Sequence, residues 1–197
     1  MNTSDLSIPA AFGDSVGDAQ AAFRLVLRCM AEPGTVLELS RLPAAVPGLG
    51  FAAAALALSL ADFETPVWLG AGCRQAAAWL RFHCGTPIVI EPAGARFAFA
   101  HADEALPDLE AFDLGSDEFP DRSATLIVEL PTLRAGGGLR LSGPGIADVN
   151  HLQIAGLTPG FWARRAALAP LFPRGLDLIF TCGTHMAALP RTTRVEA

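Results

Sequence analysis

A loop that follows an alternating strand is the first place where this sequence could bind a charged group. Residues 139–141 alternate apolar, basic and apolar, and Ser142-Gly143-Pro144-Gly145 comes directly after them. Pro144 fixes its own φ and the flanking glycines permit a close backbone approach, so the loop is stiff and carries no bulky side chain. Its amides and the Ser142 hydroxyl predict a contact with an anion or with a neighbouring backbone, and a plain strand-ending turn is the alternative.

A second set of candidate anion donors lies near the end of the sequence, where Arg191 precedes Thr192 and Thr193. We expect Arg191 to make two parallel hydrogen bonds, either to a carboxylate or to a ligand phosphate. The candidate carboxylates are Asp62, Glu64 or one on a partner chain. Asp62 and Glu64 follow a predicted helix, where the helix dipole disfavours acidic groups, so an arginine partner is expected for them. The alternative, that both are solvated turn residues, is equally expected.

A third candidate is Asp177, which begins a predicted buried strand. An unpaired buried carboxylate is costly, so an arginine partner is expected for it. A free-standing hydrolase that uses His151 or His185 with Asp148 or Asp177 is an alternative, although lone histidines near strand ends are more often structural. The sequence identifies no catalytic residue.

The cysteines and histidines predict no metal site. The four cysteines show no CxxC spacing, and the pairs Cys182/His185 and His83/Cys84 lack the spacing of a four-ligand zinc site. We expect the cysteines to be reduced, buried and small.

The charged residues exclude whole classes of function. All fourteen cationic side chains are arginines, and without a lysine amine no Schiff-base chemistry, including covalent pyridoxal phosphate attachment, is open to the chain. A net charge of −6 and the lack of a basic stripe argue against nucleic-acid binding. With 51% hydrophobic and 17% charged residues, the chain is expected to bury surface against another chain. Neither a secretory signal nor an apolar run of membrane-spanning length is visible, so a cytoplasmic location is expected.

The hydrophobic periodicity predicts the elements that position these residues. Residues 1–15 are expected to form a flexible arm, and residues 16–197 a single α/β domain. Asp18 is predicted to cap a helix through Glu32, with Phe23, Val26, Leu27 and Met30 at helical spacing. Further helices are predicted at 51–60, at 74–83 with Phe82 facing the core, and at 158–171.

Strands are predicted between these helices. Residues 136–138, three glycines, are expected to form a hairpin-like turn, and the long acidic connection 103–123 is expected to be functional or interface-forming. The predicted strands cover residues 36–39, 66–69, 88–90, 96–100, 124–130, 139–142, 148–154 and 177–180. The alternation of strands and helices predicts a three-layer α/β/α sandwich with a mixed sheet.

Seven segments, in this order along nearly the whole chain, resemble the PhnH family, the H subunit of the bacterial carbon-phosphorus lyase complex. Each segment is weakly diagnostic alone, but the ordered set is specific. One departure is Arg174, where the resemblance leads us to expect an aliphatic residue. The segments are MAEPGT (30–35), DFETPVW (62–68), WLRFH (79–83), EFP (118–120), LSGPGI (141–146), FPRGLD (172–177) and LPRTT (189–193).

The resemblance implies a fold similar to that of type I pyridoxal-phosphate-dependent transferases, without the cofactor. It also implies a homodimer in isolation and membership of a core assembly with G, I and J subunits. That assembly supports formation of ribose 1-methylphosphonate 5-triphosphate from ATP and methylphosphonate, work associated with the I subunit together with G, H and L, and the iron-sulfur J subunit later breaks the carbon-phosphorus bond.

Two hypotheses of different classes follow. In the first, which we favour, the chain is a subunit without its own catalytic centre whose apolar surface and rigid loops hold its partners. In the second, it is a stand-alone or contributing enzyme with a phosphonate or nucleotide pocket, built from the loop at 142–145 with Arg191, Thr192 and Thr193. The first is favoured because the sequence has no GxGxxG, no P-loop and no four-cysteine iron-sulfur cluster.

Overall fold

The computed structural model describes residues 8–40 and 43–196. Half of the predicted arm, residues 1–7, lies outside the described residues. The next residues are bound to the rest of the chain, since the Trp79 indole donates to the Pro9 carbonyl at 2.9 Å and the Ala44 amide donates to the Ala10 carbonyl.

The elements belong to one large mixed sheet, one small antiparallel sheet and the helices packed on them. The α-helices in the described residues are α1 (Ser15–Ala31), α2 (Phe51–Leu60), α3 (Ala77–Cys84) and α4 (Pro159–Ala167). The strands are β1 (Leu37–Glu38), β2 (Val67–Leu69), β3 (Ile88–Val89), β4 (Phe97–His101), β5 (Thr125–Glu129), β6 (Thr132–Ser142), β7 (Asn150–Ala155), β8 (Asp177–Cys182), β9 (His185–Leu189) and β10 (Arg194–Glu196). None of the helices in the described part of the chain is long and apolar enough to cross a membrane.

The large sheet has the strand order β1-β9-β8-β5-β4-β2-β3. Strands β3, β2, β4, β5 and β8 pair in parallel, while β9 is antiparallel to β8 and to β1. This arrangement confirms the predicted mixed sheet. It also leaves β1 and β3, two residues each, as the edges of the sheet.

One face of the large sheet is covered by α1, α2 and α3. Because side chains alternate across a strand, Ile127 and Ile179 point to this face and join the helix core. Helix α2 is apolar on all sides and six consecutive residues of it are buried, which confirms the deep packing predicted for residues 51–60. Phe82 on α3 was predicted to face the core, but it is 68% exposed.

The opposite face differs from the predicted α/β/α arrangement, because a second sheet supplies much of the outer layer. The small sheet, in the order β10-β6-β7, packs with α4 against the buried side chains of β5 and β8. Leu141 and Leu152 from the small sheet and Phe161 from α4 are buried there beside Phe180. This outer layer of strands and one helix forms the wall of the site described below.

The start of α1 and the three glycines were predicted incorrectly. Helix α1 begins at Ser15, and Asp14 is the residue that caps it, by accepting from the amides of Val16 and Gly17 at 3.2 and 3.0 Å. Asp18 lies inside the first turn and accepts from the Asp14 amide. The glycines at 136–138 are not a hairpin turn, since they lie within β6, where a register shift between Ala135 and Leu139 marks a bulge against β7.

Candidate functional site

The loop at 142–145 and the segment at 191–193 meet at one end of the molecule. Strand β10 pairs with β6 so that Arg194 lies opposite Ser142, which brings the two sequence segments together. A cavity of about 750 Å³ opens between them, α4 and the residues that lead into β8. Ser142, Gly143, Pro144, Arg191 and Thr192 all line it, although they come from segments about fifty residues apart.

The bare backbone of this loop is required by its packing. Gly143 has a positive φ of 131°, and a Cβ there would lie 2.9 Å from the Thr192 carbonyl oxygen. Gly145 also has a positive φ, 82°, and lies against the carbonyl of Ala31 rather than in the cavity. The neighbouring backbones predicted for this loop are therefore those of residues 192 and 31 of the same chain, and only the part of the loop before Gly145 faces the cavity.

Arg191 binds Asp177 in the two-pronged geometry expected of an arginine–carboxylate pair. Its Nε lies 3.2 Å from Asp177 Oδ1 and its Nη2 lies 2.6 Å from Oδ2, with the two side chains only 15% and 16% exposed. The Arg191 amide also donates to Asp177 Oδ1 at 2.7 Å. Asp177 thus has the arginine partner that its position predicted. The prediction that Arg191 binds Asp62, Glu64, a partner chain or a ligand is wrong, because its carboxylate partner is Asp177.

The remaining donors of Arg191 are used within the chain as well. Nη1 donates to the Pro120 and Pro173 carbonyls at 2.7 and 3.3 Å, and Nη2 donates to the Ser123 hydroxyl. This arginine ties the long connection 103–123 to the start of β8 and to the segment after β9. Its contacts make it a structural centre of the cavity wall, with no donor left over for a ligand.

Asp62 and Glu64 are distant from this cavity in the fold and form a turn of their own. The Glu64 amide donates to Asp62 Oδ1 at 2.9 Å, and the Asp62 amide donates to the Thr65 hydroxyl at 2.6 Å. Both acidic side chains are exposed. Of the two equally expected environments, the structure places them in the solvated turn.

The fold separates His185 from Asp177, one of the hydrolase combinations. Asp177 begins β8, whereas His185 pairs with Cys182 at the other end of the same six-residue strand, and Asp177 is already bound by Arg191. His151 and Asp148 are exposed on β7 and on the loop before it. No group of three or more His, Cys, Asp or Glu side chains within residues 8–40 and 43–196 is arranged to hold a metal ion.

Among the cavity residues that sequence reasoning missed are Trp162, Arg165, Arg174 and Arg194. Arg165 on α4 donates to the Thr193 and Pro190 carbonyls at 3.0 and 2.9 Å. Burial lowers the pKa of its guanidinium to about 10, and the Asp177 carboxylate opposes that shift, so the group is cationic at neutral pH. The sequence did contain a signal for Arg165, because two adjacent arginines, 164 and 165, lie in the helix that Thr158 caps.

The carboxyl ends of the parallel strands, where α/β folds usually bind ligands, are occupied by the chain's own carboxylates. Glu129 ends β5, accepts from the Gly183 amide at 3.0 Å and from the Thr181 hydroxyl, and lies against Gly50 at the N-terminus of α2. Glu104 accepts from the amides of His101 and Gly72 at 2.8 and 2.9 Å. These two groups accept from backbone amides at the carboxyl ends of the strands, whereas the arginine-lined cavity lies beside the amino end of β8.

The fold and the site together define a mixed α/β protein with an arginine-lined cavity beside the amino end of β8. The sequence model of the family described as "Bacterial phosphonate metabolism protein (PhnH)" matches residues 10–196. The chain belongs to this family.

Two curated relatives match over most of their length. The chain is 40% identical over 188 residues to the alpha-D-ribose 1-methylphosphonate 5-triphosphate synthase subunit PhnH of Rhizobium meliloti (strain 1021), with 94% of each chain covered. It is 32% identical over 182 residues to a protein of Stutzerimonas stutzeri that carries the name of a C-P lyase subunit protein, HtxG. That match covers 90% of this chain and 85% of the relative.

Proposed function

We propose that this chain is a subunit of a carbon-phosphorus lyase core complex that acts in organic phosphonate catabolism. In this role it supports formation of ribose 1-methylphosphonate 5-triphosphate from ATP and methylphosphonate, and it has no catalytic centre of its own. The names of both relatives support the assignment to such a complex. The structural observation that carries the proposal is a pair of exposed apolar surfaces on opposite edges of the large sheet.

The first of these, the α1 surface, consists of Val16, Phe23 and Leu27. They recur along the outer side of α1, and each is exposed, whereas Val26 on the inner side is buried. Helix α1 packs on α2 and β9, next to the β1 edge of the sheet. The periodicity that predicted this helix therefore contained two apolar faces, and the fold covers only one of them.

The second, the β3 edge surface, consists of Phe63, Phe82 and Ile90. Ile90 directly follows β3 and is 88% exposed, and Phe63, which packs near Gly85 before that strand, is 72% exposed. An edge strand also presents unpaired backbone groups to another chain. Large apolar side chains exposed on both sides of a short edge strand are typical of a surface that another protein covers.

Two separate apolar surfaces suit a subunit that has different neighbours on its two sides. We assign these neighbours to the G, I and J subunits of the same complex, with a homodimer formed through one surface when the chain is alone.

We further propose a cytoplasmic location and a single domain over residues 16–197. We also propose a fold similar to that of type I pyridoxal-phosphate-dependent transferases, because the parallel strands flanked by one antiparallel strand resemble that architecture and the chain has no lysine to hold the cofactor.

Co-expression with the G, I and J subunits from the same source, followed by size-exclusion chromatography with light scattering, tests the proposal. We expect one stoichiometric complex from the native chain. Leu27→Glu and Ile90→Glu place a charge on the α1 surface and on the β3 edge surface, and each should release at least one partner. Gln153→Glu, an exposed position on β7, adds the same charge outside both surfaces and should leave the complex intact.

The proposal is overturned if the native chain elutes apart from all three subunits. The placement of the contacts is overturned if Leu27→Glu and Ile90→Glu both give the full complex. Circular dichroism of each purified variant establishes that it is folded before its elution is compared.

A further inference from the structure

The arginines of the cavity differ in whether a carboxylate neutralises them. Arg191 is paired with Asp177, and Arg174 is paired with the exposed Asp117 at 3.2 Å. Among the described residues, no carboxylate lies within 4 Å of the guanidinium of Arg165 or Arg194. Since no acidic side chain lines the cavity, it holds two cations without a paired anion.

Hydrogen-bonding groups in the cavity wall are unused as well. Arg165 Nε and the Thr193 hydroxyl are buried and have no hydrogen-bond partner in the described part of the chain. Thr193 is only 2% exposed, and native proteins satisfy nearly all such groups. The half-buried Ser142 hydroxyl, opposite Arg194 across β6 and β10, has no partner among the described residues either. Two cations and the Ser142 hydroxyl therefore line one space, and the unused Arg165 Nε and Thr193 hydroxyl are buried in its wall.

The other side of the cavity is apolar. Trp162, Leu168, Leu176 and Val195 line it, and Phe172 stands at the rim with its ring largely exposed. The Trp162 ring is held in place by edge-on contacts with Phe161 and Phe180, at centroid distances of 5.2 and 6.2 Å. A volume of about 750 Å³ lies within the range of pockets that bind small organic molecules.

We propose that this cavity binds a small organic phosphate or phosphonate, with the anionic group between Arg165, Arg194 and Ser142 and the organic group against Trp162. A phosphate or phosphonate carries about −1.5 to −2 charges at neutral pH, which matches the two unpaired guanidinium groups better than one carboxylate does. The proposal gives this chain a binding site of its own and does not depend on assembly with other subunits.

Isothermal titration calorimetry with phenylphosphonate, methylphosphonate and phenol separates the two parts of the site. We expect saturable binding of phenylphosphonate, weaker binding of methylphosphonate and no binding of phenol, because the charge is recognised first and the ring adds apolar contact. Quenching of Trp162 fluorescence should accompany phenylphosphonate binding and should disappear in the Trp162→Phe variant.

Matched arginine variants decide whether the binding is at this site. Arg194→Gln removes an exposed cation at the mouth of the cavity, and we expect phenylphosphonate affinity to fall about tenfold. Arg134→Gln makes the same change at an exposed position of β6 that lies opposite Gln153 of β7 and outside the cavity. This variant should leave the affinity within about twofold. Ser142→Ala should weaken binding by a smaller factor than Arg194→Gln.

Absence of saturable phenylphosphonate binding overturns the proposal, as does an equal loss of affinity in Arg194→Gln and Arg134→Gln, which would indicate nonspecific attraction to surface charge. Phenol binding as strong as phenylphosphonate binding also overturns it, since the cavity would then be an apolar site. Arg194 is on the surface, so its variant tests the charge without removing the contacts that hold the wall together.

Discussion

The two ends of the large sheet use charge in opposite ways. At the carboxyl end, Glu129 and Glu104 accept hydrogen bonds from the backbone amides that this architecture would offer to an anionic ligand. At the amino end, Arg165 and Arg194 line a cavity, and neither forms an ion pair with a carboxylate of the described residues, although the charge of Asp177 acts on Arg165. The chain has its own acidic groups on backbone amides at the usual ligand end of an α/β sheet, and an arginine-lined cavity at the other end.

The difference shows that the architecture of a sheet does not by itself fix the position of a binding site. A parallel sheet positions strand ends, but the side chains at those ends decide whether a ligand is attracted or excluded. In this chain the small sheet and α4 cover one face of the large sheet and form a wall of the arginine-lined cavity at its amino end. The cavity therefore depends on this outer layer as well as on the large sheet.

The largest expected effect is at the amino end, where Asp177 anchors Arg191. Asp177→Ala leaves a buried guanidinium without its partner, and we expect it to lower the free energy of unfolding by about 3–5 kcal/mol. Urea denaturation of the purified variant measures this. Glu196→Ala breaks the exposed Arg140 pair and should cost about 0–1 kcal/mol. Equal losses in the two variants would show that the Arg191 cluster does not hold the cavity wall.

A smaller effect is expected at the carboxyl end. Glu129→Ala leaves the Gly183 amide and the Thr181 hydroxyl without an acceptor, and we expect a loss of about 1–3 kcal/mol in the free energy of unfolding. The same denaturation experiment measures it, with Glu118→Ala in the exposed loop as the control. An unchanged stability would mean that Glu129 is not the acceptor that occupies this end.

The helix that forms one wall of the cavity has a cap that can be removed separately. Thr158 accepts from the Phe161 amide at 3.3 Å, so Thr158→Ala should lower the free energy of unfolding by about 1 kcal/mol. Thr158→Ser keeps the hydroxyl and should recover most of that loss. If serine and alanine are equally destabilising, the methyl group rather than the cap accounts for the effect.

The smallest effect reports on the electrostatics of the carboxyl end through Cys73. Burial raises the pKa of the Cys73 thiol to about 12, and the charges of Glu104 and Glu129 add to that shift. Glu104→Gln should therefore speed alkylation of Cys73 modestly, by about twofold at pH 9 as measured by mass spectrometry. Cys84 has its pKa raised to about 11 by burial alone and should keep its rate. Acceleration of both cysteines would indicate loosening of the fold instead.

The same pKa shifts fix the sign of a pH dependence. The folded chain keeps protons on Cys29, Cys73 and Cys84 above pH 9, where the unfolded chain releases them. The stabilisation from these thiols is complete below pH 9 and is lost as the pH rises, so the free energy of unfolding should decline between pH 9 and 10. Denaturation curves over that interval check it, and a rise there would contradict the burial of the thiols.

Local patterns were sufficient to predict most elements. Residues 51–60 form the helix predicted from their apolar composition, and residues 88–90 and 124–130 contain the strands that their β-branched residues predicted. Strand β9 was not predicted because its centre, Ala187 and Ala188, has low strand propensity, and its pairing with β8 and β1 supplies what propensity does not. The glycines at 136–138 were misread because the bulge that they form depends on β7, which comes later in the chain.

The fold brings together some of the residues chosen as site candidates and separates others. Ser142, Gly143, Pro144, Arg191 and Thr192 were chosen for their chemistry, and the fold brings them to one cavity. Gly145 and the pair at 62 and 64 lie elsewhere, and the partner of Arg191, Asp177, was not among the partners predicted for it. Which arginine meets which carboxylate is decided by contacts between distant segments, and hydrophobic periodicity carries no information about them.

The central claim is that the chain works as a subunit held by two apolar edges while its cavity stays open. Hydrogen–deuterium exchange of the chain, alone and within the co-expressed G, I and J complex, tests this most directly. We predict slower exchange in the complex for peptides covering residues 15–31 and 82–90, with exchange of residues 159–167 beside the cavity unchanged. Protection at 159–167 with none at either edge would contradict the claim.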